Sequence, residues 1–174
     1  MTTTTPPRRV DVTPGRWATA APPRLGFSAI ALATLTSVIA LVALVAIGKM
    51  ADQVLLIPPM AASMALVAGA PALPLSQPRN VVGGQVASAL TGLGVGLVSH
   101  SVWASAVAGG LALGVMLLLR VPHSPAAATA IIGCLTAHST GVFLVCVVIA
   151  SVVLVLVGLA SARLRREAYP TYWW

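Results

Sequence analysis

Acid is what this sequence has least of. Among 174 residues only Asp11, Asp52 and Glu167 carry a carboxylate, and none lies in the middle of an apolar run. A cation pump or a carboxylate proton relay would have almost nothing to work with. All charged residues together reach 7%, against about a quarter in ordinary soluble domains. With 58% hydrophobic residues and a mean hydropathy of +0.97, little of the chain can face water, so it reads as an integral membrane protein. Cysteine is nearly as scarce. Cys134 and Cys146 sit in apolar runs without a CxxC spacing, which excludes a disulfide framework or thiolate metal centre and suits small buried hydrophobes. No HExxH, GxSxG or cysteine–histidine set is present. Ser99-His100-Ser101 and His138-Ser139-Thr140 have no acidic neighbour to complete a triad. The expectation is a protein that is not an enzyme and takes no cofactor and no metal.

What charge there is has one sign. The formal net charge is +7. In a soluble protein that would suggest nucleic acid, but here the basic residues flank apolar runs, which is the positive-inside pattern. No nucleic-acid partner is expected; the lipid bilayer is. Residues 1–26 hold Thr2 to Thr5, several prolines, and Arg8, Arg9, Arg16 and Arg24, and read as a disordered basic cytoplasmic tail. Residues 27–162 read as the transmembrane domain. Residues 163–174, with Arg163, Arg165 and Arg166 followed by Tyr169, Tyr172, Trp173 and Trp174, read as a basic and aromatic cytoplasmic tail. Basic clusters at both ends place both termini in the cytoplasm of a multi-pass protein of the cell membrane.

The fold class that follows is all-α, a polytopic transmembrane helical protein. Phe27 to Ile47 is an uncharged run long enough to span a bilayer. Further helices are expected over about 82–98, 103–119 and 142–160. Between them lie two segments that proline breaks. Pro59 to Pro71 leaves 11 residues of possible helix, roughly 16 Å, about half a hydrocarbon core. Pro59-Met60-Ala61-Ala62-Ser63-Met64 is echoed 66 positions later by Pro125-Ala126-Ala127-Ala128-Thr129-Ala130. Broken helices at matching places in two halves point to a transporter site. The sequence therefore predicts two pseudo-repeats, each with two full helices and one short helix started by proline. Four crossings with two re-entrant segments, or six crossings with inverted halves, both satisfy the charge rule.

Candidate binding residues cluster at these breaks. Arg79 is the one basic side chain of the first broken segment, and its planar fork suits a small oxyanion. Asn80 follows it. Ser63 and Thr129 lie one turn into the short helices, whose N-termini offer N–H groups and partial positive charge. His123 precedes the second short helix and can bind an anion or take up a proton accompanying one; Ser124 can cap that helix. Gly84, Ser88, Gly92 and Gly96 recur every four residues, giving a smooth helix face for close packing in lipid and a candidate face for a homo-oligomer.

Ser76-Gln77-Pro78-Arg79-Asn80-Val81-Val82-Gly83-Gly84 and His123-Ser124-Pro125-Ala126-Ala127-Ala128-Thr129 together resemble the HPP family of small integral membrane proteins, named for a His-Pro-Pro motif. The resemblance covers roughly residues 55–140. It implies four transmembrane helices, and some family members are associated with nitrite transport in cyanobacteria and chloroplasts. This chain departs from the pattern at three places. Ser124 replaces the middle proline, Ala127 stands where a glycine is expected, and Gln85 follows Gly83-Gly84 where a histidine is usual. The expected function is a transporter or channel for a small monovalent anion, with nitrite as the example the resemblance implies. The competing expectation is a non-transporting membrane scaffold or accessory subunit that uses the small-residue face for partner helices.

Overall fold

Proline and serine set most of the helix starts. In the computed structural model, which describes residues 24–136 and 140–173, the order is α1 (Phe27–Met50), α2 (Pro58–Gly69), a 3-10 turn (Pro74–Ser76), α3 (Pro78–Gly96), α4 (Val102–Leu118), α5 (Ala126–Thr136) and α6 (Thr140–Arg165). No strand occurs among the described residues. The expectations for residues 1–23, His138, Ser139 and Trp174 lie outside them. Helices α2 and α3 open on Pro58-Pro59 and Pro78, where a missing N–H costs nothing because the first turn has no partner for it. Helix α4 opens on Ser101, whose hydroxyl accepts the Ala104 N–H at 3.1 Å. Helix α3 thus begins four residues earlier than the run over 82–98 suggested. Arg79 and Asn80 belong to its first turn rather than to a loop.

Three long helices stop in the same way. Asp52, Arg120 and Arg166 follow α1, α4 and α6 with φ of 52°, 59° and 54°. The next N–H in each case closes on the carbonyl five residues back: Gln53 on Gly48, Val121 on Met116, Glu167 on Ala162. This is the Schellman arrangement, built on residues with a Cβ where glycine is usual.

The rise of about 1.5 Å per residue makes α1 and α6 roughly 36 and 39 Å long. Both are long and apolar enough to cross a membrane, with mean hydropathies of 2.7 and 3.3. By the same rise α3 and α4 reach roughly 28 and 25 Å, and α2 and α5 only roughly 18 and 16 Å. Each half of the chain therefore reads long, short, long. Large apolar side chains such as Phe27, Leu35, Val38 and Val42 stand exposed on α1, a surface suited to lipid.

The core has two parts. Leu44, Met60, Met64, Val67, Val147 and Leu154 knit α1, α2 and α6. The second part joins α3, α4 and α5 through small residues, among them Ala108, Ala112 and Ala130. Here the stripe on α3 finds its partner. A Cβ on Gly92 would run into the Ala130 carbonyl, and one on Gly84 would lie 2.6 Å from the His123 Cβ. The smooth face offered for self-association is covered by α5 and the α4–α5 connection of the same chain, so it is not a surface between copies.

The end of the chain also folds inward. Helix α6 runs past residue 162, and Tyr169 beyond it is buried with the α1–α2–α6 core. Its hydroxyl donates to the Ser76 carbonyl at 3.0 Å. The aromatic tail is thus fastened across the α2–α3 connection.

Candidate functional site: a sealed polar cluster where the two short helices meet

Four polar side chains lie fully buried at the centre of the fold: Ser63 on α2, Gln85 on α3, His123 before α5, and Thr129 on α5. They form one hydrogen-bonded chain. The Thr129 hydroxyl donates to Gln85 Oε1 at 2.5 Å, and Gln85 Nε2 donates to Ser63 Oγ at 2.9 Å. Ser63 Oγ lies 2.7 Å from His123 Nε2. His123 Nδ1 lies 2.7 Å from the Leu75 carbonyl in the 3-10 turn. A carbonyl only accepts, so Nδ1 carries a hydrogen. In the neutral ring Nε2 is then the acceptor, and Ser63 donates to it.

Local sequence explains the convergence. Ser63 and Thr129 each fall four residues after the proline of the echoed segments, Pro59 and Pro125. The two hydroxyls are held at the two ends of one glutamine, so the two short helices meet near their first turns. Gly84 and Gly83 permit this: a Cβ on Gly84 would also lie 2.9 Å from the Val121 carbonyl, and one on Gly83 would lie 3.0 Å from the Val121 side chain. Farther along the same face, between Gly84 and Gly92, Ser88 is fully buried and its hydroxyl has no hydrogen-bond partner.

The six residues expected to form one site divide into three places. Ser63, His123 and Thr129 belong to the cluster. Arg79 is half-buried on the other side of α3. There it lines a recess of about 270 Å³ with Pro78, Val82, Val155, Leu156 and Trp173. Asn80 is buried beside it, and its Nδ2 donates to the Pro74 carbonyl at 2.7 Å and to Tyr172 Oη at 3.3 Å. Ser124 is exposed. Its carbonyl accepts the Ala127 N–H at 3.3 Å as α5 winds up.

Gln85 and Gln77 carry roles that sequence reasoning missed. Gln77 is also fully buried. Its Nε2 donates to the Pro71 and Leu73 carbonyls at 2.8 and 2.9 Å, and its Oε1 accepts the Thr171 N–H at 2.8 Å. It ties the α2–α3 connection to the tail. The signals in the sequence were an amide beside proline or glycine in an otherwise apolar stretch and, for Gln85, its place where the resemblance leads one to expect a histidine.

Negative charge is absent from the cluster. Of the described carboxylates, Asp52 is exposed and Glu167 pairs with Arg165 at 3.2 Å. No group of three or more His, Cys, Asp or Glu able to hold a metal occurs among the described residues.

The described residues are helical without strands, and two of the helices are long and apolar enough to cross a membrane. Residues 22–170 match the transmembrane region of the HPP family, and the chain belongs to that family. Two transmembrane proteins of Dictyostelium discoideum are similar to it. One is 34% identical over 133 residues, covering 71% of this chain and 43% of the relative; the other is 33% identical over 134 residues, covering 71% and 47%. The chain thus spans less than half the length of these relatives. No solved structure matches.

Proposed function

We propose that this chain carries a small monovalent anion across the membrane, with nitrite as the first to test. The observation that carries the proposal is the meeting of α2 and α5 near their proline-started N-termini around His123, with no carboxylate in the core among the described residues. Both helix starts contribute partial positive charge and N–H groups. The unbonded Ser88 hydroxyl is a further donor on the seam where α3 meets α5. Arg79, displaced to the outer side of α3, serves the approach of the anion rather than its central site.

The packing supports reading α1–α3 and α4–α6 as two repeats; with three crossings each they are inverted, and the basic residues at both ends put both termini in the cytoplasm. Helix α1 packs on α2 and α6, as α4 packs on α5 and α3. Helix α2 packs on α6, as α5 packs on α3, and α2 meets α5. Exchanging the halves leaves this scheme unchanged, as a transporter built from repeats requires.

The continuous hydrogen-bonded chain of the cluster favours a second reading, a rigid non-transporting scaffold. Purified protein in liposomes separates the two. Transport predicts protein-dependent nitrite flux that falls at least tenfold in Gln85→Leu and Arg79→Ala. If the native protein passes no small monovalent anion, the scaffold stands.

A further inference from the structure

We infer that His123 is a proton-binding site and that the anion and one proton move together, so that the transported species is electrically neutral. The inference rests on the transport reading above and adds the coupling ion and its stoichiometry.

The hydrogen bonds around Ser63 suit two protonation states without movement of a heavy atom. In the neutral state Ser63 donates to His123 Nε2 and accepts from Gln85. When Nε2 gains a proton, it donates to Ser63 Oγ instead. The serine hydrogen then turns to the Pro59 carbonyl, already placed at 2.9 Å, and Oγ still accepts from Gln85 Nε2. A hydroxyl oxygen holds two acceptor sites and one donor, so each arrangement is fully satisfied. Nδ1 keeps its bond to Leu75 in both.

Among the described residues the protein supplies no counter-charge. Helix α2 offers no titratable group, and neither does the turn that carries Leu75. On α3 the charged residue is Arg79, in the recess facing α6. Arg120 at the end of α4 is exposed. On α5 Cys134 Sγ donates to the Ser99 carbonyl at 3.4 Å. In the tail Tyr169 bonds Ser76 and Glu167 pairs with Arg165. An imidazolium sealed in this setting carries a heavy desolvation cost unless an anion joins it. The cargo anion is the partner of the right charge, so proton and anion enter and leave together. The proton adds to Nε2 and departs from it, and no other bond changes.

The test uses the native chain in liposomes holding a pH-sensitive dye, with nitrite as probe and protein-free vesicles subtracted. The expected result is nitrite uptake driven by a pH gradient at zero membrane potential, one proton per nitrite, unchanged when a potassium–valinomycin potential of either sign is imposed. His123→Gln, checked for native elution and melting, loses at least tenfold of the gradient-driven component. In unbuffered detergent solution, nitrite binding to the native protein draws up about one proton per chain. Flux that follows the potential, gradient-driven flux that survives His123→Gln, or nitrite binding without proton uptake each overturns the inference while leaving anion transport in place. Absence of all native nitrite flux overturns the transport reading, and absent proton uptake in the same preparation removes this one with it.

Discussion

Replacing Gln85 with leucine tests whether the cluster is a coupled network or four separate side chains. The change keeps a similar volume and removes both ends of the bridge. Two hydrogen bonds disappear, the one from Thr129 at 2.5 Å and the one to Ser63 at 2.9 Å. At about 1 kcal/mol net per bond, the loss is about 2 kcal/mol. Stranded buried groups would raise it, but each hydroxyl has a fallback. Ser63 already reaches the Pro59 carbonyl, and Thr129 can turn to the carbonyl one turn back on α5. For a chain of this size, ~2 kcal/mol lowers the melting temperature by roughly 4–8 °C. The assay is thermal unfolding in mild detergent, read as loss of the monodisperse elution peak. A double-mutant cycle makes the reasoning sharper. Once leucine stands at 85, Thr129→Val removes a donor that has already lost its partner, so the second change costs less than it does alone. A Gln85→Leu protein melting within 1 °C of native, or strict additivity with Thr129→Val, would refute the network.

Three further outcomes follow from the same geometry. Gly92→Ala drives a Cβ into the Ala130 carbonyl and is expected to cost at least the 1–3 kcal/mol typical of overpacking. Gly94→Ala, two residues on with open space around it, is expected to be neutral or stabilising by about 0.5–1 kcal/mol; equal melting shifts for the two would sink the assignment of that seam. Tyr169→Ala empties a buried ring site and frees the Ser76 carbonyl, a loss of about 3–5 kcal/mol that should appear as faster protease cleavage after Arg166. In a background with Cys134 and Cys146 replaced, Arg79→Cys should react with an impermeant thiol reagent while Thr129→Cys stays unlabelled; equal labelling contradicts the separation of the two places.

The sequence carried the local devices well and their partners poorly. Proline followed four residues later by a hydroxyl marked Ser63 and Thr129, and a histidine ahead of the second copy marked His123. All three reach the cluster because the signal is local, a helix start with its first turn. Arg79 was misplaced for an equally local reason. Six residues at about 100° each turn it roughly 120° away from Gln85 on the same helix, a rotation that only the true start of α3 at Pro78 determines. Gln85 was invisible because its partners lie 22 and 44 positions away. Spacing shows that a helix face is smooth but not what covers it, so the glycine stripe was read as packing without its owner. Nothing in the composition of the last residues predicted that Tyr169 would bury itself against Ser76.

Position 85 ties the departure from the family pattern to the chemistry. A histidine there, as the resemblance implies for other members, would in its neutral form also offer one donor and one acceptor, enough to bridge Ser63 and Thr129. It would add a second titratable ring two hydrogen bonds from His123. Glutamine keeps the bridge and removes that ring. Repulsion between two imidazolium charges is thereby absent, and of the four linked side chains only His123 can take up a proton and become charged. The same substitution fixes the direction of the bridge. The amide nitrogen must donate, and it points to Ser63; the amide oxygen must accept, and it faces Thr129. Ser63 is therefore left with its own hydrogen to give either to Nε2 or to Pro59. That single rotatable hydrogen lets the cluster hold zero or one proton with Ser63 and His123 fully paired.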